Sequence, residues 1–88
     1  MLDESRARID SIDDELARLF VERLKITGEI AGIKKENNLP VFNPARESEI
    51  INRITKEIDG DTAGYLEILF NTIFDLSKSQ QEKLIGSG

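Results

Sequence analysis

Two cations, Arg23 and Lys34, occupy the same face of a segment whose periodicity is helical. They lie eleven residues apart, and at 100° per residue this spacing rotates Lys34 by only about 20° around the helix axis. Their Cα atoms would be about 16 Å apart along the axis, so long side chains leaning towards each other can hold a small anion between them. The spacing predicts a local site for a small anion.

Other polar groups interrupt apolar stripes further along the chain. Ser77 and Gln81 place a hydroxyl and an amide where an apolar stripe should continue, and Glu47 does the same with a carboxylate, next to Arg46. A buried polar or charged group without a partner is costly, so such interruptions need a reason. We expect these groups to line one cavity with the two cations.

Each residue also has a purely structural explanation. Arg23 could form a buried ion pair that sets helix register, Lys34 could be a solvated surface charge, and Glu47 could be an acid favoured by a helix N-terminus. Ser77 and Gln81 could solvate a helix end. Five such residues in one short chain reduce the weight of these separate explanations.

The element that must position Arg23 is a long first helix with a heptad seam. We expect it to begin near Asp3 or Ser5, either of which can cap it, and to end at about Lys35. Such a helix reaches beyond about 40 Å, and no other segment matches its length, so its economical partner is the same helix of a second copy. The seam predicts a homodimer and comprises Ile9, Ile12, Leu16, Leu19, Arg23, Ile26, Ile30 and Ile33.

Two further helices follow, and the fold class is all-α. Asn43 before Pro44 matches an N-cap with proline at the first helical position, and this second helix should run about four turns until Asp59-Gly60-Asp61 ends it. Its apolar face comprises Ile50, Ile51, Ile54 and Ile58. The third helix should begin near Asp61 or Thr62, with a buried side made of Leu66, Leu69, Phe70, Ile73, Phe74, Leu76 and Leu84. The pattern predicts an intertwined homodimeric helical bundle, with one domain over residues 1–85 and a flexible tail or linker scar at 86–88.

Composition excludes many classes of chemistry. The sequence has no cysteine and no histidine, which removes thiol nucleophiles, imidazole bases and the common zinc sites. The net charge of −5 and the mixed charge pattern argue against nucleic-acid binding, and no apolar run could span a membrane. The opening MLDESRARID lacks the features of a secretory signal, so we expect a cytoplasmic location.

Arg6 lies seventeen residues before Arg23, about 25 Å along the axis and about 100° around it. One small ligand cannot touch both residues of the same chain. If Arg6 takes part, it must come from the antiparallel partner helix, and each site is then composite.

These residues resemble the all-helical chorismate mutases, including the mutase domains fused to prephenate dehydratase. The resemblance spans nearly the whole chain and is carried by RARIDSIDDELARLFVERLKITGEIAGIKKENNLPV, by NPARESEIINRI, and by the spacing of Ser77 and Gln81. It implies conversion of chorismate to prephenate, an intramolecular Claisen rearrangement in aromatic amino acid biosynthesis that needs no metal or coenzyme. The missing histidine is consistent with this chemistry.

The resemblance also implies roles for the candidate residues. Arg23 and the partner's Arg6 would bind the two carboxylates of chorismate, with assistance from Ser77, while Lys34 and Gln81 would donate to the ether oxygen. The remaining roles fall to Glu47 on the ring hydroxyl, Arg46 in the charge network, and Asn43, which stands where an acidic residue is common in bacterial members. Two alternatives stay open, an isochorismate pyruvate lyase of the same fold and a non-catalytic helical dimerisation module.

Overall fold

A computed structural model describes residues 1–86 as three α-helices in the order α1 (Leu2–Glu36), α2 (Pro44–Thr55) and α3 (Gly60–Gly86). The all-α class and the long first helix are therefore confirmed. Within the described residues, α1 packs on α3 and α2 packs on α3, so α3 is the central element. None of these helices is both long and apolar enough to cross a membrane.

The first helix begins earlier than predicted and ends where expected. Met1 is the N-cap residue and forms no side-chain cap bond, so the prediction that Asp3 or Ser5 caps the helix was wrong. Asp3 lies instead in the first turn, where a carboxylate favours the helix dipole. At the other end, Asn38 has a positive φ of 54°, and the N–H of Leu39 bonds the carbonyl of Lys34 at 2.8 Å. This Schellman-type ending reverses the chain direction at Asn38, just after the last turn of α1.

The predicted start of α2 is confirmed, but its predicted end was wrong. Asn43 Oδ1 accepts the N–H of Arg46 at 3.1 Å, and Pro44 occupies the first turn. The helix stops at Thr55 after 12 residues, whereas about four turns up to Asp59 were expected. A turn in which the N–H of Ile58 bonds the carbonyl of Thr55 replaces the last part, which leaves Ile58 outside the helix and exposed.

The third helix starts at Gly60, slightly before Asp61, and its predicted buried face is only partly correct. Phe74 is buried, whereas Leu69, Leu76 and Leu84 are each about half exposed. The reason is that α1 and α2 cover one stripe of α3 and leave the leucine stripe uncovered. Gly86, predicted to be part of a flexible tail, is the last residue of α3, and the other two residues of that tail lie outside the described range.

The single chain is elongated and has little interior. Its longest dimension is 53 Å and its radius of gyration is 16.0 Å, compared with about 12 Å for a compact domain of this length. Among the described residues the buried apolar side chains are Ala31, Ile50 and Phe74. Every apolar member of the predicted seam of α1 is exposed, from Ile30 at 38% to Ile33 at 56%.

Candidate active site

One cavity of about 390 Å³ opens between the C-terminal half of α1, the start of α2 and the last turns of α3. Ile26, Ile30, Ile50 and Phe74 form its apolar walls. The polar side chains are concentrated on these same walls, so the cavity combines an apolar lining with a few convergent charges, as small-molecule sites do. It contains seven of the candidate site residues, namely Arg23, Lys34, Asn43, Arg46, Glu47, Ser77 and Gln81.

Arg23 is held by two neighbours in this cavity. Its Nη1 donates to Oγ of Ser77 at 3.1 Å, and its guanidinium lies 5.7 Å from the centroid of the Phe74 ring. Burial lowers the pKa of Arg23, and the nearby positive charge of Arg46 lowers this pKa further. The site therefore concentrates positive charge that a bound anion would relieve.

Lys34 is positioned by the connector that follows α1. Its Nζ donates to the carbonyl of Val41 at 2.8 Å, across the turn that Asn38 makes possible. An ammonium group has three N–H donors, so this bond leaves two for a ligand. The connector thus fixes the ammonium group of Lys34 at the cavity.

Ser77 and Gln81 face the cavity from α3, and both side chains are buried. Oε1 of Gln81 has no hydrogen-bond partner within the described chain. A buried amide oxygen without a partner is costly, so this amide can either accept a hydrogen bond from a donor on a ligand or turn by half a turn and present Nε2 to an acceptor. Gln81 is therefore poised to contact whatever the cavity binds.

The acidic side of the cavity lies at the start of α2. Oε2 of Glu47 forms an ion pair with Nζ of Lys78 at 3.1 Å, and Arg46 pairs with Glu49 at the surface. Asn43 also lines the cavity while it caps the helix. The cavity thus presents several cations and a carboxylate that is already paired with a lysine.

Arg6 does not line this cavity. It lies in the first turns of α1, in a stretch of the helix that is exposed to solvent throughout. The geometry agrees with the expectation that Arg6 and Arg23 of one chain cannot reach the same small ligand.

A family model described as chorismate mutase type II matches residues 5–82. The chain belongs to this family. That match covers every residue that lines the cavity, all of α2 and most of α1 and α3, and it confirms the family that the sequence predicted.

The relatives of this chorismate mutase type II chain include a protein named as a chorismate mutase and a protein named as a bifunctional enzyme. It is 47% identical over 62 residues to a bifunctional chorismate mutase/prephenate dehydratase of Aquifex aeolicus, which covers 67% of this chain and 17% of that protein. It is 38% identical over 55 residues to a chorismate mutase of Methanocaldococcus jannaschii, covering 62% of this chain and 56% of that protein. A T-protein of Haemophilus influenzae is 34% identical over 68 residues, covering 75% of this chain and 18% of that protein. The chain thus spans only part of each relative.

The structure also adds residues that the sequence did not single out. Lys78 lines the cavity, and Thr27 donates to Oε1 of Gln80 at 2.8 Å, next to the cavity wall. Lys78 follows Ser77 directly and precedes Gln81 by three positions, so the sequence already placed it beside the helix face that these two residues share. This position could have predicted that Lys78 lines the cavity. The carbonyl of Val41 carried no such signal, because every residue has a carbonyl.

Proposed function

We propose that this chain is a chorismate mutase, which converts chorismate to prephenate in aromatic amino acid biosynthesis without a cofactor or a metal. The observation that carries the proposal is the single cavity in which Arg23, Lys34 and Gln81 converge, in a chain of the chorismate mutase type II family. The rearrangement is intramolecular, so it needs no nucleophile and no proton transfer. It needs a dianion held in its reactive conformer and donors at the ether oxygen.

Arg23 would bind one carboxylate of chorismate, with the hydroxyl of Ser77 assisting at the same group. The existing 3.1 Å bond between Arg23 and Ser77 supports this role, because it orients the guanidinium before a ligand arrives. Asn43 and Arg46 also line the cavity and would contribute a polar contact and positive charge. Glu47 would accept a hydrogen bond from the ring hydroxyl.

Lys34 and Gln81 would stabilise the transition state. As the C–O bond breaks, negative charge grows on the ether oxygen, and preorganised donors there lower the barrier. Lys34 has two N–H donors left after its bond to Val41, and a half-turn of the Gln81 amide exchanges Oε1 for the Nε2 donor. Losing one such donor costs about 3 to 4 kcal/mol of transition-state stabilisation.

We further propose an intertwined homodimer in which the partner's Arg6 binds the second carboxylate. The exposed seam of α1 supports this, because seven apolar side chains facing water are unfavourable in a chain that buries so few others. Antiparallel pairing of the two α1 helices would bring Arg6 of one copy towards the cavity of the other. The cytoplasmic location stays a prediction.

The direct test is to incubate the purified protein with chorismate and to identify the product. We expect chorismate to disappear and prephenate to form. Incubation with isochorismate separates the related lyase, which would release salicylate and pyruvate. A protein that consumes neither substrate and does not bind a bicyclic transition-state analogue would instead be a helical dimerisation module, and the proposal would be wrong.

A further inference from the structure

Lys78 is a cavity residue to which the proposed mechanism gives no role. Its Nζ lies 3.1 Å from Oε2 of Glu47, and the two side chains are only 25% and 24% exposed. The same Nζ lies 4.4 Å from the centroid of the Phe42 ring. A third neighbour, Oδ1 of Asp75, is 3.6 Å away on a side chain that is 78% exposed. Lys78 therefore contacts three separate parts of the chain.

The two closer contacts belong to the segments that border the cavity. Glu47 lies in the first turn of α2, and Phe42 lies in the connector between α1 and α2. A lysine in a solvent-exposed ion pair keeps most of its rotamer freedom and contributes little to stability. Here the ammonium group is confined between a carboxylate and an aromatic face, and this arrangement ties the Glu47 carboxylate to α3.

This arrangement has two consequences for a dianionic substrate. The ammonium group occupies Oε2 of Glu47, which leaves Oε1 to accept a hydroxyl hydrogen in a defined direction. It also compensates the negative charge of Glu47, which would otherwise repel carboxylates in the same cavity.

We propose that Lys78 is a positioning residue that orients the carboxylate of Glu47 towards the ring hydroxyl of the substrate. This inference rests on the proposed function. Lys78 acts through Glu47. Its positioning contribution exists only for a substrate that has the hydroxyl, whereas the charge compensation applies to any dianion in the cavity.

The test compares kcat/KM for chorismate with kcat/KM for an analogue that lacks the ring hydroxyl. We expect Lys78→Met to lower kcat/KM for chorismate about tenfold, as loss of a hydrogen bond to a charged group does. For the analogue we expect a clearly smaller loss, because the analogue loses only the compensation of the Glu47 charge. Lys78→Arg should restore most of the activity on chorismate. In a Glu47→Gln background, Lys78→Met should add less than about a twofold loss, because the two residues act as one unit.

Asp75→Asn is the matched control, since it removes the exposed partner of Lys78 and leaves the pair with Glu47 intact. We expect its kcat/KM to stay within about twofold of the wild type. Equal losses on both substrates, or undiminished losses in the Glu47→Gln background, would overturn the positioning role, as would full activity of Lys78→Met. A wild type that converts chorismate keeps the proposed function in all these cases, whereas a wild type that does not convert it overturns both proposals.

Discussion

At the scale of single residues, Arg23 is a partly buried cation whose guanidinium is oriented without a carboxylate partner. Its guanidinium is bonded to Ser77 and stacked near Phe74, and it forms no ion pair within residues 1–86. Burial and the charge of Arg46 both lower its pKa, which means that the cation is less favourable here than in water. The carboxylate of the proposed substrate would offset this cost, so we expect ligand binding to stabilise the protein.

Removing the cavity cations should abolish activity without unfolding the protein. For Arg23→Ala and Lys34→Ala we expect kcat/KM for chorismate to fall about a hundredfold or more, because each removes a charged group that contacts the substrate in the proposed mechanism. Arg18→Ala is the control, since Arg18 lies on the same helix and, among residues 1–86, forms ion pairs only with exposed Glu15 and Glu22. Steady-state kinetics and circular dichroism check this, and near-normal turnover of either cavity variant would contradict the assignment.

Activity should change little between mildly acidic and neutral pH. Gln81 does not titrate, and a lowered pKa means that Arg23 loses its proton at a lower pH than an ordinary arginine. The ordinary arginine pKa lies so far above neutrality that any loss of charge stays on the alkaline side, outside this range. A pH profile of kcat/KM tests this, and a steep change between about pH 6 and 7.5 would count against it.

At the scale of elements, the contact between α1 and α3 sets the orientation of the face of α3 that lines the cavity. Oγ1 of Thr27 donates to Oε1 of Gln80 at 2.8 Å, and Nε2 of Gln80 donates to the carbonyl of Leu24, also at 2.8 Å. Gln80 lies one position before Gln81 and three after Ser77. The two hydrogen bonds to the Gln80 amide therefore fix how α3 is rotated about its axis. This rotation places the side chains of Ser77 and Gln81 in the cavity.

Thr27→Val tests this contact because it keeps the shape of the side chain and removes the hydroxyl. We expect the free energy of unfolding to fall by about 1 to 2 kcal/mol, since Oε1 of Gln80 loses its donor in a partly buried place. Thr72→Val is the matched control, because the hydroxyl of Thr72 bonds only the carbonyl of Ile68 on an exposed face. Urea unfolding of both variants measures the difference in the free energy of unfolding. Equal losses in the two variants would show that the bond between Thr27 and Gln80 does not stabilise the protein more than an exposed hydroxyl does.

At the scale of the whole molecule, the single chain is open. Its first helix extends far beyond the part that α3 covers, and the residues of its N-terminal half are exposed. A chain of this size buries only about 60 to 65% of its unfolded surface even when compact. The homodimer proposed above would account for both the exposed seam and the distance of Arg6 from the cavity, because a second copy paired along α1 would cover the seam and bring its own Arg6 to the cavity.

Mixing two inactive variants tests the composite site. Arg6→Ala and Arg23→Ala should each be inactive, but a heterodimer of the two contains one cavity with both arginines. After unfolding and refolding an equal mixture, random pairing should restore about a quarter of wild-type activity, because half of the dimers are mixed and each has one intact site. A mixture of Arg23→Ala and Lys34→Ala should stay inactive, since both residues line the same cavity of one chain. Sedimentation checks the dimer, and a monomer or a mixture without recovery would refute the arrangement.

The sequence was enough to predict the three helices, the family and half of the residues that line the cavity. The cap at Asn43 depends only on Arg46, three positions away, and the shared face of Arg23 and Lys34 follows from helix geometry alone. The same reasoning failed where contacts with residues distant in sequence determine where a helix ends or which of its faces is buried. The isoleucine pattern of α2 continued to Ile58 although the helix stopped at Thr55, and the exposed leucines of α3 depend on which stripe the other helices cover.

The partners of the charged groups were decided by tertiary structure. Lys78 pairs with Glu47 across two helices, and Lys34 bonds a carbonyl of the connector. Long side chains have many rotamers of similar energy, and a backbone carbonyl has the same chemistry at every position. Only the packed helices select one partner from among them, because packing fixes the distances on which hydrogen bonds and ion pairs depend.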